Sequence, residues 1–142
     1  MAVLKIIQGG MGVGVSGWPL AKGVSQLGQL GVVAGTGLAV VLVRRLQQGD
    51  EGGHVRRALA HFPLPGMADR VLHRYFIAGG KADDASFKLS SMPRQDSGAA
   101  FTELTVLANF VEVFLAKEGH AGLVGVNYLE KLQIPIVPSL FG

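Results

Sequence analysis

The chain has 142 residues, 49% of them apolar, and a formal charge of +3, which fits one compact globular domain and argues against a disordered polyelectrolyte. Its 21 glycines are clustered without a three-residue period, so a collagen-like rod is excluded, and the lack of cysteine removes disulfides, thiolate nucleophiles and Cys-based metal sites. Met1–Ile7 carries no small-residue cleavage site of the signal-peptide kind, so a reducing cytoplasm is the expected location.

Val3–Gln8 (VLKIIQ) is a short aliphatic run ending in glycine, and it predicts a strand buried on both faces of a parallel sheet. Gly9–Gly14 (GGMGVG) cannot extend that strand. Ser16 then offers a helix N-cap, with Pro19 in the first turn. Leu20, Val24, Leu27 and Leu30 follow at helical spacing, which predicts an amphipathic helix over 17–29 closing on Gly28 or Gly31. Gly31–Gly35 (GVVAG) reads as the second buried strand. Strand, glycine loop, helix and strand together make one βαβ unit with a right-handed crossover.

The segment from Leu27 to Val43 is apolar enough to raise a membrane span. It falls short of the roughly 20 residues a span needs, and four glycines divide it. A buried strand, a loop and a helix start explain it better, and no membrane partner is expected. Leu38–Gln48, Gly53–Phe62 and Gly66–Phe76 each suit a helix, fenced by Gly49–Gly53, Pro63 and Pro65. Gly79–Gly98 is polar and irregular. Ala100–Lys117 predicts a strong helix, with Leu104, Leu107, Val111, Phe114 and Leu115 on one broad face. Leu123–Tyr128 (LVGVNY) reads as a third strand, and Pro135 and Pro138 lie near the start of a further apolar segment.

The expected organisation is therefore a first βαβ unit over residues 1–37, a helical and loop insertion over 38–99, and a helix, third strand and next-helix start over 100–142. Ser139–Gly142 resembles the beginning of another element, so the chain is expected to be the front of a longer protein. Arg44–Arg45, Arg56–Arg57, Arg70 and Arg74 gather basic charge, but no nucleic-acid motif accompanies them. Solvated helix faces account for them, and no nucleic-acid partner is expected. His54, His61 and His73 lack i, i+4 spacing and an acidic companion, so no metal site is expected. Asp83–Asp84 read as solvated loop charges.

Chemistry is best sought in Gly9–Ser16, which sits where α/β folds place ligands, between a strand end and a helix start. Gly12, Gly14 and Gly17 meet the G-x-G-x-x-G spacing, but Thr36 stands where a ribose-binding acid would follow the second strand, so an NAD site is not favoured. A P-loop is excluded because no Gly-Lys-Ser/Thr follows. Gly14–Val15–Ser16 begins a nucleophile elbow, but Trp18 replaces its second glycine.

Lys5–Ser16 (KIIQGGMGVGVS), Leu20–Ala21, Leu30–Gly35 (LGVVAG) and Gly122–Asn127 (GLVGVN) together resemble the nitronate monooxygenase family, formerly 2-nitropropane dioxygenases. The resemblance implies an α/β fold: the N-terminal part of a (β/α)8 TIM barrel, about three parallel strands with a helical insertion between strands 2 and 3. It implies FMN as cofactor, with Gly9, Gly10, Met11 and Gly12 along the isoalloxazine ring and Asn127 bonding it from the third strand end. A flavin oxidation of a nitronate or related small substrate, with oxygen as acceptor, would follow. The catalytic residues are unknown, and this chain alone is expected to bind FMN weakly and not turn over. Three alternatives stay open: a non-catalytic helical association module, a flavin-dependent enoyl reductase-like protein of fatty acid or polyketide synthesis, and a membrane-attached fragment. Homo-oligomerisation also stays open.

Overall fold

The computed structural model describes residues 3–90, 98–129, 131 and 134–142. Among these, six α-helices and a two-stranded parallel sheet make a mixed α/β fold. The elements run α1 (Trp18–Gln26), β1 (Gly31–Ala34), α2 (Leu38–Gln47), a 3₁₀ turn (Glu51–Gly53), α3 (His54–Leu59), α4 (Pro65–Tyr75), α5 (Ala99–Lys117), β2 (Val124–Asn127) and α6 (Ile136–Phe141). The apolar segment Leu27–Val43 resolves into β1, a glycine turn and the start of α2. Residues 91–97, the end of the expected irregular segment, lie outside the described residues.

β1 pairs with β2 in parallel, Gly31 opposite Val124 and Ala34 opposite Asn127. The expected first strand is corrected. Val3–Gln8 joins β1 only through a parallel bridge between Ile7 and Leu30, and Val3, Ile6 and Ile7 are exposed rather than buried. No described strand lies on its far side, so its aliphatic side chains have nothing to pack against.

The expected inward face of α1 is also corrected. Leu20 and Leu27 are exposed, and Ala21 and Ser25 point into the protein. Small residues are needed there because the neighbouring backbone is close. A Cβ on Gly31 would stand 1.9 Å from the Ala21 carbonyl oxygen, and one on Gly122 would stand 2.2 Å from that of Ser25. The helix lies too near the sheet to interpose a leucine.

Ser16 does not cap α1. The N-cap residue is Gly17, without a side-chain cap, and the cap comes from 94 residues away: the Trp18 backbone N–H donates to Glu112 Oε2 at 2.8 Å. Glu112 is 2% exposed, and its other oxygen pairs with Arg45 of α2. A buried carboxylate needs such partners to offset its desolvation, and it also answers the positive end of the α1 dipole.

α5 is the axis of the molecule. It packs on α1, α2, α3, α4, α6 and both strands. Leu104, Leu107, Val111 and Leu115 are buried as the spacing predicts, with Phe114 half-buried, but Thr105, Val106, Ala108, Asn109 and Ala116 are buried as well. It is a core helix apolar nearly all round, not a one-faced surface helix. By length and composition it is the one described helix able to cross a membrane, yet 61% of that apolar window is buried inside the protein.

Candidate functional site

The glycine loop and both strand ends meet at one place. The loop after Gln8 turns back on itself, with the N–H groups of Val15 and Ser16 donating to the Gly12 carbonyl at 3.1 and 2.7 Å. It is fastened to β1 at each end. The Val32 N–H donates to Gln8 Oε1 at 2.9 Å, and the Ala34 N–H donates to the Ser16 carbonyl at 2.9 Å. Gly10 has φ +62, and a Cβ there would lie 2.5 Å from Val32 Cγ1. Glycine is thus required twice, for a left-handed turn and for contact with the sheet.

Asn127, the last residue of β2, reaches across this junction. Its Nδ2 lies 3.3 Å from the Gly9 carbonyl, 3.4 Å from the Gly10 carbonyl and 3.3 Å from Met11 Sδ. Among the described residues no donor meets its Oδ1, which leaves an acceptor available at the rim. Gly10, Met11, Val13, Ala34, Thr36, Asn127, Tyr128, Leu129 and Lys131 line a cavity of about 410 Å³ here, within the ordinary range for small-ligand sites of about 300–1,000 Å³. Met11 is 83% exposed, so it is not filling a gap in the core.

Of the five residues singled out in the sequence, Gly10, Met11 and Asn127 line the cavity. Gly9 contributes its carbonyl as an Asn127 acceptor, and Gly12 closes the loop behind without facing the space. Sequence reasoning missed Thr36, Tyr128 and Lys131. Thr36 Oγ1 accepts from the Leu129 N–H at 3.0 Å and ties the β1 exit to the β2 exit. The Tyr128 ring passes so close to Gly35 that a Cβ there would stand 2.5 Å from Tyr128 Cε1. Its hydroxyl donates to the Ser139 carbonyl at 3.0 Å and lies 3.3 Å from Asn109 Oδ1. Burial raises the Tyr128 phenol above its ordinary range. Tyr128 follows Asn127 directly, so its place beside the site was available from the strand-end position alone.

A second cavity of about 420 Å³ opens between Trp18, Arg45, Asp50, His54 and their neighbours. Three of its polar groups are held by neighbouring side chains or backbone. Arg45 is held by Glu112, and Asp50 accepts from the Val55 and Arg56 N–H groups at 2.8 and 3.0 Å and from Arg56 Nε at 3.0 Å. His54 Nδ1 accepts from Arg57 Nη1 at 3.1 Å, and its ring lies 5.1 Å from that of Trp18. Arg57 also grips Glu118 through two bonds of 2.9 and 3.0 Å, which hold the Glu118 carboxyl below the usual carboxylate range. These groups join helices together. Among the described residues no three His, Asp or Glu side chains converge as metal ligands.

Comparison of the chain with protein-family models, curated proteins and solved structures finds no match.

Proposed function

We propose that this chain supplies the first strands of a (β/α)8 barrel and part of an FMN site, in an oxidoreductase resembling nitronate monooxygenase. The observation carrying this reading is the convergence of Gly10 and Met11 with Asn127, 117 residues after Gly10, on one cavity at the C-terminal ends of parallel strands. α/β barrels build their sites at that end.

The lining residues fit the ring portion of a flavin. The Oδ1 of Asn127, which meets no donor among the described residues, suits an imide-like N–H, Gly10 presents backbone without a side chain, and Lys131 is the one cation among the described lining residues. Among the described residues no arginine lines this cavity, and the phosphate would be held elsewhere in the barrel. FMN, when bound, would take electrons from the substrate and pass them to oxygen. This chain's own residues would orient the ring: Asn127 by hydrogen bonding, Gly10 by close approach, and Tyr128 by walling one side. No lining residue is assigned as a base, since the Tyr128 phenol is pushed away from neutral pH.

Titration of FMN with the purified chain, followed by quenching of flavin fluorescence, tests the reading. The expected result is weak saturable binding, weakened about three- to tenfold by Asn127→Ala through loss of one hydrogen bond, with no nitronate turnover. Absence of any saturable quenching, or an Asn127→Ala chain that binds as well as the parent, would overturn it.

A further inference from the structure

The segment read as an insertion carries a surface that the flavin reading does not use. The described salt bridges engage Lys22, Arg45, Arg56, Arg57 and Arg70. Arg44, Arg74, Lys81 and Lys88 pair with no described carboxylate, and these four gather on two aromatic rings. Arg44 and Lys81 lie over Phe87 at 4.8 and 4.9 Å, and Arg74 and Lys88 over Tyr75 at 5.3 and 5.7 Å. Asp83 and Asp84 belong to the same loop but bridge none of these cations.

The loop is held in place. Gln47 of α2, 1% exposed, clamps the Lys88 backbone from both sides: its Oε1 accepts from the Lys88 N–H at 2.6 Å, and its Nε2 donates to the Lys88 carbonyl at 3.0 Å. Lys88 Nζ donates in turn to the Arg74 carbonyl at 3.1 Å, and the Lys81 N–H donates to the Gln47 carbonyl at 2.8 Å. A buried amide spent on fixing a solvent-exposed loop preorganises what that loop displays, and preorganisation lowers the entropy lost on binding. Between loop and helix runs a cleft of about 210 Å³, walled by Val40, Val43, Phe87 and Leu89 with Arg44 and Lys88 at its edge. Leu89 stands 87% exposed beside it.

We infer that this basic, aromatic-backed cleft docks an acidic protein segment that places one apolar side chain between Val40 and Phe87 and its carboxylates against Arg44, Lys81 and Lys88. Charge complementarity selects the partner's sign, and the apolar cleft selects a peptide over a bare polyanion. Nucleic acid fits less well, because stacking needs a free aromatic face. Tyr75 is only 3% exposed and Phe87 lies under Arg44 and Lys81. A membrane surface would call for a broad apolar face, where this patch offers one cleft and Leu89. The inference does not depend on FMN binding.

The test is fluorescence anisotropy of the whole chain with a fluorescein-labelled peptide of Glu-Glu-Leu repeats, at low and at physiological salt. Saturable, salt-sensitive binding is expected. Arg44→Gln with Lys88→Gln should weaken it about five- to tenfold, the sum of two exposed ion pairs. Lys5→Gln with Lys22→Gln, the same change of charge elsewhere, should leave it unchanged. Gln47→Met should weaken it with every cation retained, confirmed as folded by circular dichroism. Equal losses from the two double variants, no effect of Gln47→Met, no binding, or displacement of the peptide by an oligonucleotide or phosphatidylserine vesicles at lower concentration would each overturn the inference.

Discussion

The helical side of this protein and its strand-end side are built on opposite terms. Leu46 and Leu59 from the segment read as an insertion, and Leu104, Leu107 and Leu115 from α5, are among its largest fully buried side chains. In the N-terminal run and the glycine loop, Val3, Ile6, Ile7, Met11 and Val15 are exposed. Cohesion is therefore concentrated away from the strand-end cavity, which rides on backbone and polar ties with little apolar burial. The segment 38–99 is no appendage to that arrangement, since its helices share one core cluster with α5 and Val33. Removing it would take away much of what the strands rest on.

That contrast is broken most directly at its strong end. Leu107 is fully buried in the middle of α5, and Leu107→Ala should cost about 4 kcal/mol, lost transfer energy plus a cavity the rigid helix cannot collapse. A urea melt showing less than about 1 kcal/mol would mean that α5 is not the axis of the fold. Glu112→Ala comes next, at about 3 kcal/mol, because it strands Arg45 and uncaps α1 together. Glu112→Gln keeps an acceptor for the Trp18 N–H, so it should recover part of that loss in the same measurement. Equal losses would assign the whole effect to charge.

The elements and the site were not equally legible. Hydrophobic period and glycine punctuation placed β1, β2 and the helices close to their observed limits, because those signals are local. That Gly10, Met11 and Asn127 fall at one end of the sheet could be followed, since segments running parallel leave the sheet on the same side. What the residues do not signal is nonlocal. Nothing near Trp18 says that a glutamate on α5 will cap its helix, and the apolar period of α5 argues against a charge there. Apolar spacing alone points to Leu20 and Leu27 as the inner face of α1, whereas backbone proximity at Gly31 and Gly122 decides in favour of Ala21 and Ser25.

A smaller effect probes the tie between the two sides. Tyr128 stands at the cavity while its hydroxyl bonds the Ser139 carbonyl beside α5. Burial raises its folded-state pKa above the unfolded value, so the unfolded chain releases that proton first as pH rises. Stability from this group is complete below the ordinary tyrosine range near pH 10 and declines as pH climbs through the folded value. Tyr128→Phe should cost about 1 kcal/mol at neutral pH and should flatten the alkaline limb of the stability curve. An unchanged limb would detach Tyr128 from the buried network.

The weak end of the contrast gives the sharpest control. Ile7 is 66% exposed although it sits in the most aliphatic part of the N-terminal run, and its one sheet tie among the described residues is backbone, through the bridge to Leu30. Ile7→Thr keeps the β-branch that suits extended backbone and removes apolar surface that is already in water. The change should therefore stay within about 0.5 kcal/mol, an eighth of the loss expected at Leu107. A loss of about 2 kcal/mol would mean that in solution Ile7 is covered, by a further strand or by a second copy, and analytical ultracentrifugation of the parent chain then separates those two. A loss near zero would leave the N-terminal run as open as it stands, with the helices and the buried strand β1 holding the molecule together.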